Sequence, residues 1–152
     1  MDRTKILNLI ESMKTAHETQ MYDLELLLSG KDIESITPLS KTECDFGKLL
    51  YANESVLRQI IGSLFYEKLD TLHEKWHEEY QKIFDIYKEY FEHKSSHKGL
   101  FSKLLGAKKV DEMNIDKAKL YYSDLKQTTN ELLHTIDISK RRIAALADTK
   151  FE

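Results

Sequence analysis

Three histidines and the only cysteine of the chain, His17, Cys44, His73 and His77, are of the types that hold a transition metal. His73 and His77 are four positions apart. On a helix that spacing stacks two imidazoles one turn above each other, so both rings can converge on one ion as adjacent ligands. A third imidazole from His17 and the thiolate of Cys44 would complete a tetrahedron of three nitrogens and one sulfur. Zinc suits that set best: the sulfur disfavours magnesium and calcium, and a redox-inert d¹⁰ ion accepts four-coordinate geometry. Zn2+ is therefore the expected cofactor, with His17, Cys44, His73 and His77 as metal ligands and no catalytic residue.

Each residue also has an ordinary structural explanation. A histidine in an apolar stripe is commonly a hydrogen-bonded core residue, and a lone cysteine a small buried hydrophobe. The pair His73 and His77 could be surface positions of a charged helix. The joint pattern argues otherwise, because these polar groups project from separate elements toward a core that offers them few partners. His93 and His97 repeat the four-residue spacing, but they fall where a helix runs into a lysine-rich stretch and read as solvated. His134 has no companion.

Four helical segments would position these side chains. The first runs from about Thr4 to Leu28, where Ile6, Ile10, Met13, His17, Met21, Leu24 and Leu28 recur at steps of three and four, placing His17 within the buried stripe. Ser29-Gly30 ends it, and a polar loop continues through Pro38. A short second helix is expected after Ser40, since Ser40-Lys41-Thr42-Glu43 is a capping-box pattern. Cys44 would then lie in its first turn, where the free amides and the positive end of the helix dipole favour a thiolate. The third helix spans roughly Ser63 to His93, with Phe65, Leu69, Leu72, Trp76, Tyr80, Ile83, Tyr87 and Tyr90 inward and the two histidines on the flank of that stripe. The fourth, about Asp111 to Leu146, carries Ile115, Tyr122, Leu125, Leu132, Leu133, Ile136, Ile143 and Leu146.

Between the last two helices, Lys94 to Lys109 contains five lysines and no acid. It reads as a connecting loop, with contact to a partner or a membrane surface as the alternative. The expected fold is all-α, an antiparallel four-helix bundle with a short second helix and this basic loop, forming a single domain over residues 1–152. One proline and five glycines fit that reading. The net charge of −3 gives no argument for a nucleic-acid partner. A lone cysteine excludes an internal disulfide, and without a secretory signal or a bilayer-length apolar run a cytoplasmic location without a membrane span is expected. Tyr121 and Phe151 are candidate interface aromatics.

The run Cys44-Asp45-Phe46-Gly47-Lys48-Leu49-Leu50-Tyr51, preceded by a core histidine and followed by His73-x-x-x-His77, resembles the CZB domain, the chemoreceptor zinc-binding domain of bacteria. That family's signature is a cysteine, any residue, an aromatic or aliphatic residue, glycine, any residue and usually tryptophan. Cys44, Phe46 and Gly47 match, and Leu49 stands where tryptophan is expected. The resemblance implies a four-helix, often dimeric domain that holds zinc through His17, Cys44, His73 and His77. It also implies a sensory or regulatory role in signal transduction rather than an enzymatic one, responsive to zinc level or to oxidation of the cysteine. In the family the domain is usually fused to chemoreceptors or diguanylate cyclases. This chain is expected to be a free-standing member that forms a homodimer or passes its output to such a signalling protein.

Three other readings use the same residues. The zinc could be purely structural, without a sensing role. His73-Glu74-Lys75-Trp76-His77 satisfies the H-E-x-x-H pattern of zinc metallopeptidases, in which Glu74 would be the general base. That chemistry needs an open coordination position, which His17 and Cys44 would close. A hemerythrin-like di-iron site would need bridging carboxylates and an inward Glu-x-x-His that the fourth helix lacks.

Overall fold

The computed structural model describes residues 2–96, 110–147 and 150–151. Among the described residues five α-helices are present: α1 (Arg3–Leu28), α2 (Asp45–Ala52), α3 (Glu54–Ile61), α4 (Ser63–Ser96) and α5 (Glu112–Ala145). Their ends follow local chemistry. The Asp2 carboxylate accepts from the Lys5 amide at the start of α1, and Asp111 does the same for Asn114 at the start of α5. At the other end of α1, Gly30 takes a positive φ of 80°. The Gly30 amide bonds the Leu27 carbonyl and the Lys31 amide bonds that of Leu26, the paired closure of a Schellman motif.

An antiparallel four-helix bundle does not describe this chain. The expected second helix is two helices, α2 and α3, that part at Asn53. The Asn53 side-chain amide donates to the Leu49 carbonyl at 3.0 Å, taking an acceptor at the end of α2, and the backbone leaves helical geometry there. The break lets α2 lean on α1 while α3 packs against α4 and α5. Gly62, with φ of 89°, then turns the chain into α4.

The principal packing is of α4 on α5 and of α1 on α5. Arg3 donates to the Leu146 carbonyl, and Lys14 pairs with Asp137 at 3.2 Å, so α1 and α5 run antiparallel. Trp76 meets Thr129, and Arg142 lies over Phe65, so α4 and α5 are antiparallel too. Helices α1 and α4 are therefore parallel to each other, both laid on α5. Small buried residues on α5, Ala118, Thr128, Thr129, Thr135 and Ser139, permit this close approach. Three of the hydroxyls return their proton to a carbonyl one turn back: Thr129 to Leu125, Thr135 to Glu131 and Ser139 to Thr135.

Helices α1 and α4 do not approach each other closely along their backbones. They meet instead through large side chains, and α2 lies beside that seam. Lys94, within α4, bonds Asp32 and the Ile33 carbonyl and fixes the loop after α1 to the far end of α4. The remainder of the expected basic loop, residues 97–109, lies outside the described residues, as does His97. Among the described residues no helix is long and apolar enough to cross a membrane.

Candidate metal centre

The seam between α1 and α4 gathers the four predicted residues. His17 comes from α1, Cys44 is the N-cap of α2, and His73 and His77 stand one turn apart on α4. One ligand atom from each lies within 4.8 Å of all the others. Exposure is 2% for His17, 4% for Cys44, 0% for His73 and 7% for His77. A tetrahedral zinc with nitrogen and sulfur ligands holds its donors about 3.3–3.8 Å apart, so sub-ångström to ångström side-chain adjustments bring the four into register.

Hydrogen bonding fits the same ion. The His17 Nδ1 donates to the Met13 carbonyl at 2.9 Å, which leaves its Nε2 deprotonated, buried and without a protein partner. This is how a metal-bound imidazole is commonly oriented, with the outer N–H held by a backbone carbonyl. The His73 Nε2 faces both the Cys44 Sγ at 3.0 Å and the His77 Nε2 at 2.9 Å. A neutral imidazole nitrogen offers a single lone pair, and two neighbours cannot both be satisfied by it. A cation at their centre would accept one pair from each.

The electrostatics keep the imidazoles neutral. Burial drives His73 down to about 2, with His77 and His17 adding repulsion against a second positive charge. Burial likewise drives His77 to about 4, assisted by His17 and opposed by the Leu39 carbonyl, which lies near the ring but leaves Nδ1 without an aligned hydrogen bond. His17 is lowered by burial against the favourable Met13 bond. All three are thus uncharged at neutral pH, as a metal ligand must be.

Cys44 corrects the sequence expectation in two ways. It caps α2 rather than occupying its first turn, because the capping pattern closes an isolated turn just before it. There the Glu43 carboxylate accepts from the Ser40 amide at 3.0 Å and from the Ser40 hydroxyl at 2.7 Å. The Gly47 amide does donate to Sγ at 3.3 Å, yet burial raises the thiol above its ordinary value, outweighing the Gly47 and Phe46 amides. Without a metal the side chain is a neutral thiol, and only a cation beside it would restore the thiolate.

The Cys-x-Phe-Gly run now has a physical reading. A Cβ built on Gly47 would stand 1.5 Å from the Lys41 carbonyl oxygen and 3.3 Å from His73 Cε1, so no larger residue fits between the preceding turn and α4. Phe46 packs edge-on against His73 at 4.6 Å and His17 at 5.8 Å between ring centroids. Trp76, fully buried, lies 4.6 Å from His17 and 5.0 Å from His77, and its Nε1 donates to Thr129 Oγ1 at 2.9 Å. Periodicity placed Trp76 in the core without indicating its role as a wall of the site. The Thr129 partner had no apolar signal by which to find it.

Glu74, the prospective general base of H-E-x-x-H, is half exposed and ion-paired with Lys41 at 3.1 Å. The metallopeptidase arrangement is therefore not built. Among the described residues His17, Cys44, His73 and His77 are the one group of at least three histidine, cysteine, aspartate or glutamate side chains placed to share an ion, and none is a carboxylate, as a di-iron site would require. His134 is exposed, and Tyr121 and Phe151 are half-buried beneath cations: Lys82 and Lys117 over the former, Arg3 over the latter.

No curated protein and no solved structure matches the chain. The family described as the chemoreceptor zinc-binding domain matches residues 10–84. That span contains all four clustered residues and runs through α2 and α3 to Phe84 of α4, leaving α5 outside. A three-histidine, one-cysteine cluster able to hold zinc thus coincides with the sequence match, and over residues 10–84 this chain matches the chemoreceptor zinc-binding domain family.

Proposed function

We propose that this protein is a zinc-responsive regulatory module in which His17, Cys44, His73 and His77 hold one zinc ion and couple its occupancy to the docking of α2 and α3. The observation that carries the proposal is the convergence of four buried donors from three helices to within 4.8 Å. When bound, zinc would supply positive charge that stabilises the Cys44 thiolate and a bond joining α1, α2 and α4. The residues do the rest. Met13 orients His17, the Gly47 amide steers Sγ, and Phe46 and Trp76 exclude water from the imidazoles.

Loss of the ion leaves a buried neutral thiol and three buried imidazoles with poorly matched hydrogen bonds, a state that favours loosening of the shortest element. The altered α2–α3 surface is the output offered to a second copy of the chain or to a signalling protein. Burial of Cys44 and the raised position of its thiol favour a response to zinc supply over a direct oxidation of the metal-free cysteine.

Elemental analysis with hydrogen exchange tests the proposal. The expected result is one zinc per chain, lost in His17→Ala, Cys44→Ala and His77→Ala, with the largest gain in exchange rate in α2 and α3 after chelation. Equal protection of α2 and α3 with and without zinc would overturn the regulatory reading, and a gain in exchange spread evenly over all five helices would leave the ion a purely structural one.

A further inference from the structure

Three of the four donors stand on long helices, α1 with 26 residues and α4 with 34, whereas Cys44 leads into an eight-residue helix. Helix α2 makes its main backbone contacts with α1 and with the equally short α3. A buried site that exchanges its ion must open somewhere, and the element with the least packing opens at the lowest cost. The Cys44 segment is that element.

Besides the packing of Phe46 on His73 and the Tyr66 hydroxyl donating to the Leu50 carbonyl at 3.2 Å, a polar group outside the donor set fastens this segment to α4. The Lys41 ammonium lies 3.4 Å from an Asp70 carboxylate oxygen and 3.1 Å from one of Glu74, two acids one turn apart on α4. The same Asp70 oxygen accepts from the Tyr51 hydroxyl of α2 at 2.5 Å, and the Lys41 ammonium also lies over the Tyr51 ring at 5.7 Å. At the other end of the same residue, the Lys41 carbonyl covers Gly47 and receives the Cys44 thiol at 3.7 Å. Asp70 and Glu74 thus flank His73 in sequence, and through Lys41 they determine where the Cys44 sulfur stands relative to the α4 imidazoles.

We infer that Lys41, Tyr51, Asp70 and Glu74 form a clasp that positions Cys44 against α4, and that opening of this clasp is the step through which the centre releases and takes up its metal. The inference rests on the proposed zinc site for its consequence, but the clasp itself can be tested without metal. It gives Glu74, the acid of the H-E-x-x-H run, a positioning role in place of a catalytic one. Lys41 and Asp70 are 26% and 31% exposed and Glu74 is 52% exposed, so salt reaches the clasp although it does not reach the donors.

The test uses the full chain in two forms. In zinc-loaded protein, release to an excess of a chromogenic chelator is timed for wild type, Lys41→Met, Lys41→Arg and Glu74→Gln. In chelator-stripped protein, the rate at which Cys44 reacts with a disulfide reagent is measured for the same set. Lys41→Met should accelerate both rates about 5- to 30-fold, the effect expected of a partly exposed multi-residue ion-pair network. Raised salt should accelerate wild type toward that variant, Lys41→Arg should restore near wild-type rates, and Glu74→Gln should fall between.

Arg58→Met removes a comparably exposed clamp, to Glu54 and Glu67, and serves as the control for general loss of stability. Unchanged thiol reactivity in Lys41→Met, or equal acceleration in Arg58→Met, would overturn the clasp. Absence of zinc from the wild-type protein would instead refute the proposed site, with the thiol measurement still deciding the clasp.

Discussion

At the scale of single residues, the centre depends on keeping imidazoles neutral and one sulfur in place. His77 has a folded value of about 4 and His73 of about 2, against an ordinary 6.5, so an unfolded chain binds protons that the folded chain refuses. The metal-free protein should therefore be stable above pH 6.5 and lose stability as pH falls, through about pH 4 for His77 and further for His73. The slope approaches ~1.4 kcal/mol per pH unit for each histidine. Urea unfolding between pH 7 and 5 measures it, and His77→Gln should flatten the dependence. Gly47→Ala places a methyl group against the Lys41 carbonyl, where backbone must move. A loss of about 1–3 kcal/mol or more, with weakened zinc binding, is expected in denaturant titrations and metal competition. The four donors were legible in the sequence because helical period assigns His17 to the core and His73 and His77 to one face. The protonation state of Cys44 was not, since it depends on burial by Phe46, Gly47 and α4, which spacing does not reveal.

At the scale of elements, the parallel pair α1 and α4 is held apart by rings and joined through α5. Trp76 is the principal spacer, and its indole N–H to Thr129 is a side-chain link between α4 and α5. Trp76→Phe should cost about 0.5–1.5 kcal/mol for the hydrogen bond, plus a packing term for the smaller ring, whereas Trp76→Ala should cost about 3–5 kcal/mol. Thermal or chemical unfolding of the two variants distinguishes the contributions. Three of the helices could be drawn from apolar periodicity with ends within a few residues, because each buries a long stripe. The α2–α3 break could not, since two eight-residue helices carry too few apolar positions to define a phase and the deciding contact is one side-chain bond from Asn53 to Leu49. The buried face of α5 was only half visible, because Thr128, Thr129, Thr135 and Ser139 are polar by type; the last three bond their own backbone, while the Thr128 hydroxyl is buried without a protein partner.

At the scale of the molecule, bound zinc would join three elements that the polypeptide otherwise connects through loops, so occupancy should appear as global stability. At free zinc one hundred times the dissociation constant, the folded state gains about 2.7 kcal/mol. Chelation should lower the unfolding midpoint of wild type by several degrees and leave Cys44→Ala unmoved, as differential scanning calorimetry would record. The central claim is narrower than that shift: His17, Cys44, His73 and His77 together surround one ion. X-ray absorption at the zinc edge of the purified protein tests it most directly. One sulfur at about 2.3 Å and three nitrogens at about 2.0–2.1 Å are predicted, with the zinc edge itself lost from Cys44→Ala. A shell of oxygens, or a spectrum unchanged by that substitution, would contradict the account.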